Sequence, residues 1–479
     1  MRNHSMRPGH SSDRSRIVII GAGPTGLGAA WRLDREGFVN WVICEQAGEV
    51  GGLAGSHLDR NGFTWDIGGH VVFSHYELFT KLLDGLFEPS GWLSHQRESW
   101  IWMQDRWIPY PFQNNLYRLP PPARARCLTG LLGAASAKGG RGFASFDDFI
   151  VRTFGEGIAD VFMRPYNRKV WAYAPEQLDA SWIADRVAVP DAARVARNVA
   201  MRADDVSWGP NSTFRFPARG GTGAIWWRIA ERLPPGRVLT NCKAERIDTR
   251  RRVVHLAGGG ALPYDRLIST MPVDVLARIC GRDDWMEPAA GLKHSSTHVI
   301  GVAVRGRPAE SVASKCWMYF PDSSVPFYRL THFSRYSPNN VPDISAHWSV
   351  MAEVSESPCA PVDAGAVVSR TIDGLVEAGI IEGRRSVLHR WHTRREYGYP
   401  TPSLGRDEIL DRLLPLLERD DVYSRGRFGA WKYEVGNMDH SFMQGWEAAG
   451  RILHGGAEPT LRRPDFVNSS HPAARAWAA

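Results

Sequence analysis

Apolar and polar positions along this chain fall into blocks of different period. Ile17 to Ile20 form an apolar run closed by a glycine turn, the pattern of a strand buried on both faces in a parallel sheet. Trp41 to Cys44 is a second such run. Leu78 to Phe87 repeats at helical spacing with one apolar face. Within residues 97–115, Ser99 to Met103 and Arg106 to Asn115 are short, aromatic-rich segments that read as strands. From about Pro122 to Arg202 the pattern is helical, interrupted by a Gly/Ala/Lys-rich stretch, Gly133 to Gly142, that reads as an exposed loop. Ala224 to Leu233 predicts another helix, and Arg237 to Leu262 with Asp265 to Thr270 predict short strands. Residues 296–400 alternate apolar and polar, as in Thr297 to Val304, Cys316 to Phe320 and Ala346 to Val354, which predicts a mostly antiparallel sheet.

The glycine turn after Ile20 carries the first chemistry. In Gly21-Ala22-Gly23-Pro24-Thr25-Gly26, Gly21 permits the tight turn, Gly23 lets backbone approach a pyrophosphate, and Gly26 lets the following helix pack on the strand. The pyrophosphate would lie at a helix N-terminus, where free N–H groups favour negative charge. Glu45 ends the second strand and is placed to accept from a ribose 2′-OH, which suits FAD or NAD better than NADP. A second glycine pair, Gly51-Gly52-Leu53, and the block Gly68-Gly69-His70 to Tyr76 extend the set. Together they point to a bound flavin with a glycine–histidine segment near its reactive ring. Phe214 to Gly223 looks like another glycine fingerprint but lacks a strand directly ahead of it, so no second dinucleotide site is expected there. Arg451 to Gly456 reads as a return to the flavin unit.

The fold class expected is therefore α/β: a Rossmann-like FAD-binding domain with an inserted helical domain and a mostly antiparallel β-sheet domain. Residues 16–88, 214–290 and 425–470 would form the FAD-binding part, 120–205 the helical domain, and 89–119 with 291–424 the sheet domain that takes substrate.

Composition narrows the classes. The 479 residues are 43% hydrophobic, enough for a large core divided into domains. The net charge of +7 suits anionic partners. No Lys/Arg block is interleaved with aromatics, which argues against nucleic acid. The six cysteines are scattered with no C-x-x-C pair or metal-ligand spacing, consistent with thiols in a reducing compartment. No run of 18 apolar residues is present, so no membrane insertion is expected. Residues 1–15 are basic and polar with no apolar segment behind them, which reads as a disordered tail rather than a secretory signal. A cytoplasmic enzyme is the expectation.

Several further blocks carry a resemblance. They are Gly68 to Tyr76; Ile108 to Asn115; Phe162 to Asn167 with Lys169-Val170-Trp171; Phe214 to Gly223; Ser295 to Gly301; Pro326 to Arg329; Tyr399 to Pro402; and Ser424 to Gly429 with Tyr433 to Asn437 and Asp439 to Phe442. Over about residues 16–468 they resemble the UDP-galactopyranose mutases, in particular the eukaryotic-type branch. Members of that family interconvert UDP-galactopyranose and UDP-galactofuranose on reduced FAD, whose N5 attacks the anomeric carbon, with no net redox change. The resemblance implies covalent catalysis by the cofactor while the protein holds the sugar and the leaving diphosphate.

It also implies roles, residue by residue. Arg186 and Arg329 match the arginines on the diphosphate, where a guanidinium forks onto phosphate oxygens. Tyr319, Tyr399 and Tyr433 match tyrosines donating to the same phosphates. Tyr110, Phe112 and Gln113 match the uridine pocket, and Asn167 and Trp171, one helical turn apart, would line the nucleotide site. His70 matches the histidine beside the flavin ring, with the Gly69 carbonyl directed at N5. Asn211, Arg97, Arg427 and Asn437 match further active-site positions, Asn437 on the cofactor side. NADPH or NADH is the implied reductant, without a Rossmann domain of its own, and a homo-oligomer is compatible with the family. The breaker-rich segments Arg186 to Pro190 and Arg329 to Asn340 would supply closing loops. The stretch after Ser337 is shorter than expected for the branch. Two other classes compete: an amine-oxidase-like or desaturase-like FAD oxidoreductase, and a silent nucleotide-sugar binder. The same chemistry on another nucleotide sugar, such as a 6-deoxyhexose, also stays open.

Overall fold

Ile17–Ile20, buried at every position, is the centre of a parallel sheet of five strands. The computed structural model describes residues 15–137, 142–183, 186–206 and 212–469; nearly all of the expected tail, and candidate Asn211, lie outside the described residues. The strand order is Val422–Ser424, Arg266–Ser269, Ile17–Ile20, Trp41–Cys44, Val238–Leu239, and every neighbouring pair runs parallel. All C-terminal ends therefore reach one edge, where open α/β sheets bind ligands. Val422–Ser424 belongs to this sheet, which moves the domain boundary earlier than residue 424. At three residues it is too short to show a period.

Two helices start at that edge and cross closely. Pro24–Arg35 follows the glycine loop, and Met438–His454 comes from the far end of the chain. A Cβ on Gly28 would lie 2.1 Å from the Phe442 carbonyl oxygen, and one on Gly445 would lie 1.8 Å from that of Thr25. Only glycine allows this approach.

The Phe214 to Gly223 block does have a strand ahead of its helix, Thr213–Pro217, contrary to expectation. That strand pairs antiparallel with Trp92–Gln96, outside the parallel sheet. The helix N-terminus is also filled by the chain's own groups. Thr222 Oγ1 donates to Asp66 Oδ2 at 2.9 Å, and the Gly223 N–H donates to Ser56 Oγ at 2.7 Å. Burial pushes the Asp66 carboxyl up to about 7 against those hydrogen bonds. These glycines pack a hairpin rather than a second dinucleotide.

The alternating segments form a seven-stranded sheet in the order Val387–Pro400, His294–Arg305, His347–Glu356, Arg329–His332, Trp317–Tyr319, Ser99–Met103, Arg106–Pro109. All its pairs are antiparallel except Trp317–Tyr319 with Ser99–Met103. Period two sorts the side chains. Ile300, Val302 and Val304 pack with Val350 and Ala352 under the helix Val367–Glu377, whereas Thr297 and Val299 turn to the other face, which looks into the cavity.

The helical unit contains Pro121–Ser136, Phe146–Ile158, Arg164–Trp171 and Ala192–Met201. Its core gathers Phe112, Phe146, Ile150, Phe154, Phe162, Trp171 and Trp182. Pro121–Ser136 continues through Gly133, past the expected start of the loop, because its neighbours Leu131, Leu132, Ala134 and Ala135 are strong helix formers that offset one glycine. Residues 138–141 of the expected loop lie outside the described residues. Among the described residues no helix is long and apolar enough to cross a membrane.

Candidate functional site

A cavity of about 1730 Å³ lies where the edge of the parallel sheet, the inner face of the antiparallel sheet and the helical unit meet. One end is lined by the glycine loop, with Gly21, Gly23 and Thr25, by Glu45, and by Gly52 and Leu53. Gly21 has φ +96° and Gly51 φ +110°, values that strain any side chain. Gly26 is off the cavity, its hydrogen facing the Gly21 carbonyl, 1.9 Å from where a Cβ would sit, so it packs helix on strand. The two helix N-termini reach the same space through Pro24 and Thr25 and through Asn437 and Met438, and among the described residues neither has a side-chain cap. Their free N–H groups make two positive ends on one cavity. Glu45 accepts from the N–H groups of Ala22 at 2.7 Å and Ala47 at 2.8 Å, leaving lone pairs on both oxygens for hydroxyl donors. These donors and glycines fit a dinucleotide such as FAD.

The glycine–histidine segment forms the next part of the wall. Gly68 has φ +108°, and a Cβ on Gly69 would lie 2.4 Å from Thr331 Oγ1. The Gly69 N–H donates to Glu353 Oε1 at 2.9 Å. His70 lines the cavity, and its Nδ1 has no hydrogen-bond partner among the described residues. Burial pushes the ring down to about 4, with Glu353 opposing and Arg427 and Arg329 assisting, so it is neutral near pH 7.

Arginines and tyrosines complete the cavity. Arg329 lies on a central strand, not in a loop, and is followed by the buried Phe333 and Tyr336, so it does not form half of a closing lid. Its guanidinium meets Glu353 at 2.9 and 2.6 Å and Tyr399 Oη at 3.2 Å. Burial alone would raise the Glu353 carboxyl, but Arg329, Tyr328 and the Gly69 N–H hold it below the usual carboxylate range. Arg427 stacks on Tyr399 at 4.9 Å and on Tyr433 at 5.7 Å, and donates to the Gly398 and Gly436 carbonyls. No carboxylate pairs with it among the described residues, and burial lowers its affinity for the proton. Arg186 stacks on Tyr433 at 4.8 Å and donates to the Glu434 carbonyl at 2.6 Å; its Nε is buried without a partner. Arg97 lies over the Tyr110 ring at 5.5 Å, and Tyr110 faces Tyr319 at 5.3 Å. Burial raises the Tyr110, Tyr319 and Tyr399 hydroxyls, which stay protonated as donors.

Four residues expected to contact the nucleotide do not line this cavity. Phe112 is fully buried and stacked on Phe162 at 4.6 Å. Gln113 donates to the Ala188 carbonyl at 2.5 Å. Asn167 donates to the Met163 carbonyl one turn back at 2.8 Å. Trp171 is buried against Tyr433 at 4.8 Å and Trp182 at 5.1 Å. Of the four, Trp171 packs behind the tyrosine wall of the cavity, against Tyr399 and Tyr433. Sequence reasoning missed Glu353, although a lone acid in the apolar run Val350 to Val354 was a signal. It also missed the pair His75 and Asp439, whose Nδ1 and Oδ2 lie 2.7 Å apart at the start of Met438–His454.

Residues 143–453 match the family described as flavin containing amine oxidoreductase, and residues 19–86 match the NAD(P)-binding Rossmann-like domain. The chain is 26% identical over 178 residues to protoporphyrinogen oxidase 2 of Arabidopsis thaliana, a match spanning 34% of each protein. Among solved structures, a fatty acid isomerase from P. acnes (17% identity, TM-score 0.64) covers 93% of this chain and all of its own, 100%. Cyclohexylamine oxidase from Brevibacterium oxydans (15% identity, TM-score 0.59) covers 92% of this chain and 99% of its own. At such identities these two show the fold alone. A crystal structure of reduced UDP-galactopyranose mutase superimposes with TM-score 0.92 at 46% identity, over 96% of this chain and 98% of that one. By that near-complete match, on a flavoprotein fold whose glycine cradle and arginine–tyrosine wall share one cavity, the chain belongs to the UDP-galactopyranose mutase family.

Proposed function

We propose that the protein interconverts UDP-galactopyranose and UDP-galactofuranose with no net redox change. The observation that carries this reading is the arginine wall. Arg427 and Arg186 are without carboxylate partners among the described residues, and with Arg329 they line the same cavity as the dinucleotide cradle. Oxidation of an amine needs no such cations, whereas a diphosphate beside a flavin does.

In this reading the three arginines and the hydroxyls of Tyr319, Tyr399 and Tyr433 bind the diphosphate and stabilise it as it leaves the sugar. Each charge-assisted hydrogen bond contributes about 1.5–3 kcal/mol. Gly21, Gly23, Glu45 and the two helix N-termini would hold FAD. Reduced FAD, when bound, supplies a nucleophilic N5 for the anomeric carbon, with NADPH or NADH as reductant. Neutral His70 lines the cavity next to the glycine segment, where it would lie beside the flavin ring. Glu353, by holding the Gly69 N–H, keeps the segment before His70 in one orientation.

The test is incubation of the purified flavoprotein with UDP-galactofuranose, with and without dithionite, followed by chromatography for UDP-galactopyranose. Conversion by the reduced protein alone supports the reading. Net transfer of two electrons per product, to or from the flavin, would favour the oxidoreductase, and absence of conversion despite UDP binding would point to another nucleotide sugar.

A further inference from the structure

We infer that Lys169 is a positioning residue for the diphosphate end of the site, holding Tyr319 and Arg329 in place from outside the cavity. The inference rests on the function proposed above. Lys169 stands on the helix Arg164–Trp171 and does not line the cavity. Its Nζ donates to three backbone carbonyls: Phe320 at 2.9 Å, Asp322 at 2.8 Å and Val325 at 2.9 Å. An ammonium has three N–H donors, so each is used. Among the described residues Lys169 forms no ion pair, so these three carbonyls are its partners.

All three carbonyls belong to one loop, which joins Trp317–Tyr319 to Arg329–His332. In that hairpin Tyr319 pairs directly opposite Arg329. The loop therefore closes between two residues that face the cavity, and a single side chain from the helical unit fastens it. The same helix braces the wall twice more: Tyr166 meets Tyr319 edge-on at 5.4 Å, and Trp171 meets Tyr433 edge-on at 4.8 Å. Small displacements of binding groups have large effects on a site of this kind. A compact ammonium can satisfy three converging carbonyls, whereas the planar fork of arginine cannot.

The test compares UDP affinity, by calorimetry on the reduced holoenzyme, with thermal stability and turnover. Lys169→Met is expected to weaken UDP binding about tenfold, which is about 1.4 kcal/mol, and to raise KM while kcat stays within about threefold. Lys169→Gln keeps an amide donor and is expected to fall between the two, and it serves if the methionine variant does not fold. Arg164→Ala is the control: Arg164 stands on the same helix as Lys169, off the cavity, and pairs with Asp147, Glu156 and Asp160 of the preceding segments. The substitution should lower stability and leave UDP binding unchanged. Wild-type affinity in both Lys169 variants would overturn the inference. So would weakening that tracks the loss of stability equally in Arg164→Ala. A wild type that fails to bind UDP would instead overturn the proposed function.

Discussion

Arg329 and Glu353 stand directly opposite each other on neighbouring antiparallel strands and meet through two hydrogen bonds, Nε to Oε1 at 2.9 Å and Nη2 to Oε2 at 2.6 Å. Glu353 also accepts from the Gly69 N–H at 2.9 Å and from Tyr328 Oη at 2.7 Å. One buried carboxylate thus ties the glycine–histidine segment to the arginine wall. Glu353→Gln removes the charge and turns an amide N–H toward groups that are themselves donors. Breaking a buried pair this way costs about 3–5 kcal/mol, so denaturant unfolding should show a loss of that order together with weaker UDP binding. A loss below about 1 kcal/mol with unchanged affinity would mean the carboxylate is not the tie.

Arg427 behaves oppositely. It is half-buried with two carbonyl partners and no acid among the described residues, so the free protein bears a charge that a ligand anion would neutralise. Arg427→Met should leave unfolding stability within about 1 kcal/mol, because removing an unpaired, half-buried charge offsets the two carbonyls left without it. UDP affinity should fall about 10- to 100-fold, the scale of one or two charge-assisted bonds. Titration of both proteins with UDP checks this; equal affinities would remove Arg427 from the anion site.

The histidines set a pH dependence. Burial holds His70 near 4 in the folded protein and His332 likewise, whereas an unfolded histidine titrates near 6.5. Between those values the unfolded chain binds protons that the folded one refuses, so stability falls as pH drops from about 6.5 to about 4. Each such group contributes a slope of at most ~1.4 kcal/mol per pH unit. Glu353, a depressed carboxylate, contributes stability that is full above its unfolded value and is lost only at lower pH, as pH falls through its folded value. Urea unfolding at several pH values between 4 and 7 should show the decline, and His70→Asn should flatten it. An unaltered slope would place the His70 ring outside the titrating set.

Much of this architecture was legible because its signals are local. The run Ile17 to Ile20, the glycines after it and Glu45 specify strand, turn and ribose acceptor within thirty residues of chain. Alternation along Thr297 to Val304 and Ala346 to Val354 likewise announced the antiparallel sheet, whose strands run His294–Arg305 and His347–Glu356. What failed to show depends on neighbours distant in sequence. Arg329 reads as part of a loop because Arg329–His332 is too short to display a period, and only its pairing with His347–Glu356 makes it central. Asn167 and Trp171 do share a helix face, but which face turns to the cavity is decided by the tyrosines packed against it.

The crossing of the two N-terminal helix ends gives a test of the cofactor cradle. Gly445→Ala would place a methyl 1.8 Å from the Thr25 carbonyl oxygen and 2.8 Å from the Ala29 nitrogen, all backbone that cannot step aside cheaply. Overpacking of this kind costs about 1–3 kcal/mol, and it separates the two positive ends that face the cavity. The purified variant should carry less flavin, read as the ratio of 450 nm to 280 nm absorbance after gel filtration. Full flavin content would show that the crossing distance does not matter to retention.

Trp171 decides between a ligand contact and a support. It lies edge-on to Tyr433, Tyr399 and Trp182, at 4.8, 5.8 and 5.1 Å between ring centres, and its Nε1–H has no acceptor among the described residues. Trp171→Phe therefore loses area but no hydrogen bond, and should cost at most about 1.5 kcal/mol as a core substitution with partial repacking. Trp171→Ala should cost about 3–5 kcal/mol through the cavity it leaves. If Trp171 acts only by bracing Tyr433 and Tyr399, the phenylalanine variant keeps UDP affinity within about threefold while the alanine variant loses both stability and affinity. A stacking partner of the base would behave differently, because base–aromatic stacking is worth about 1–3 kcal/mol and shrinking the ring would weaken UDP binding without a matching loss of stability. Calorimetry and thermal unfolding on the two variants separate these outcomes.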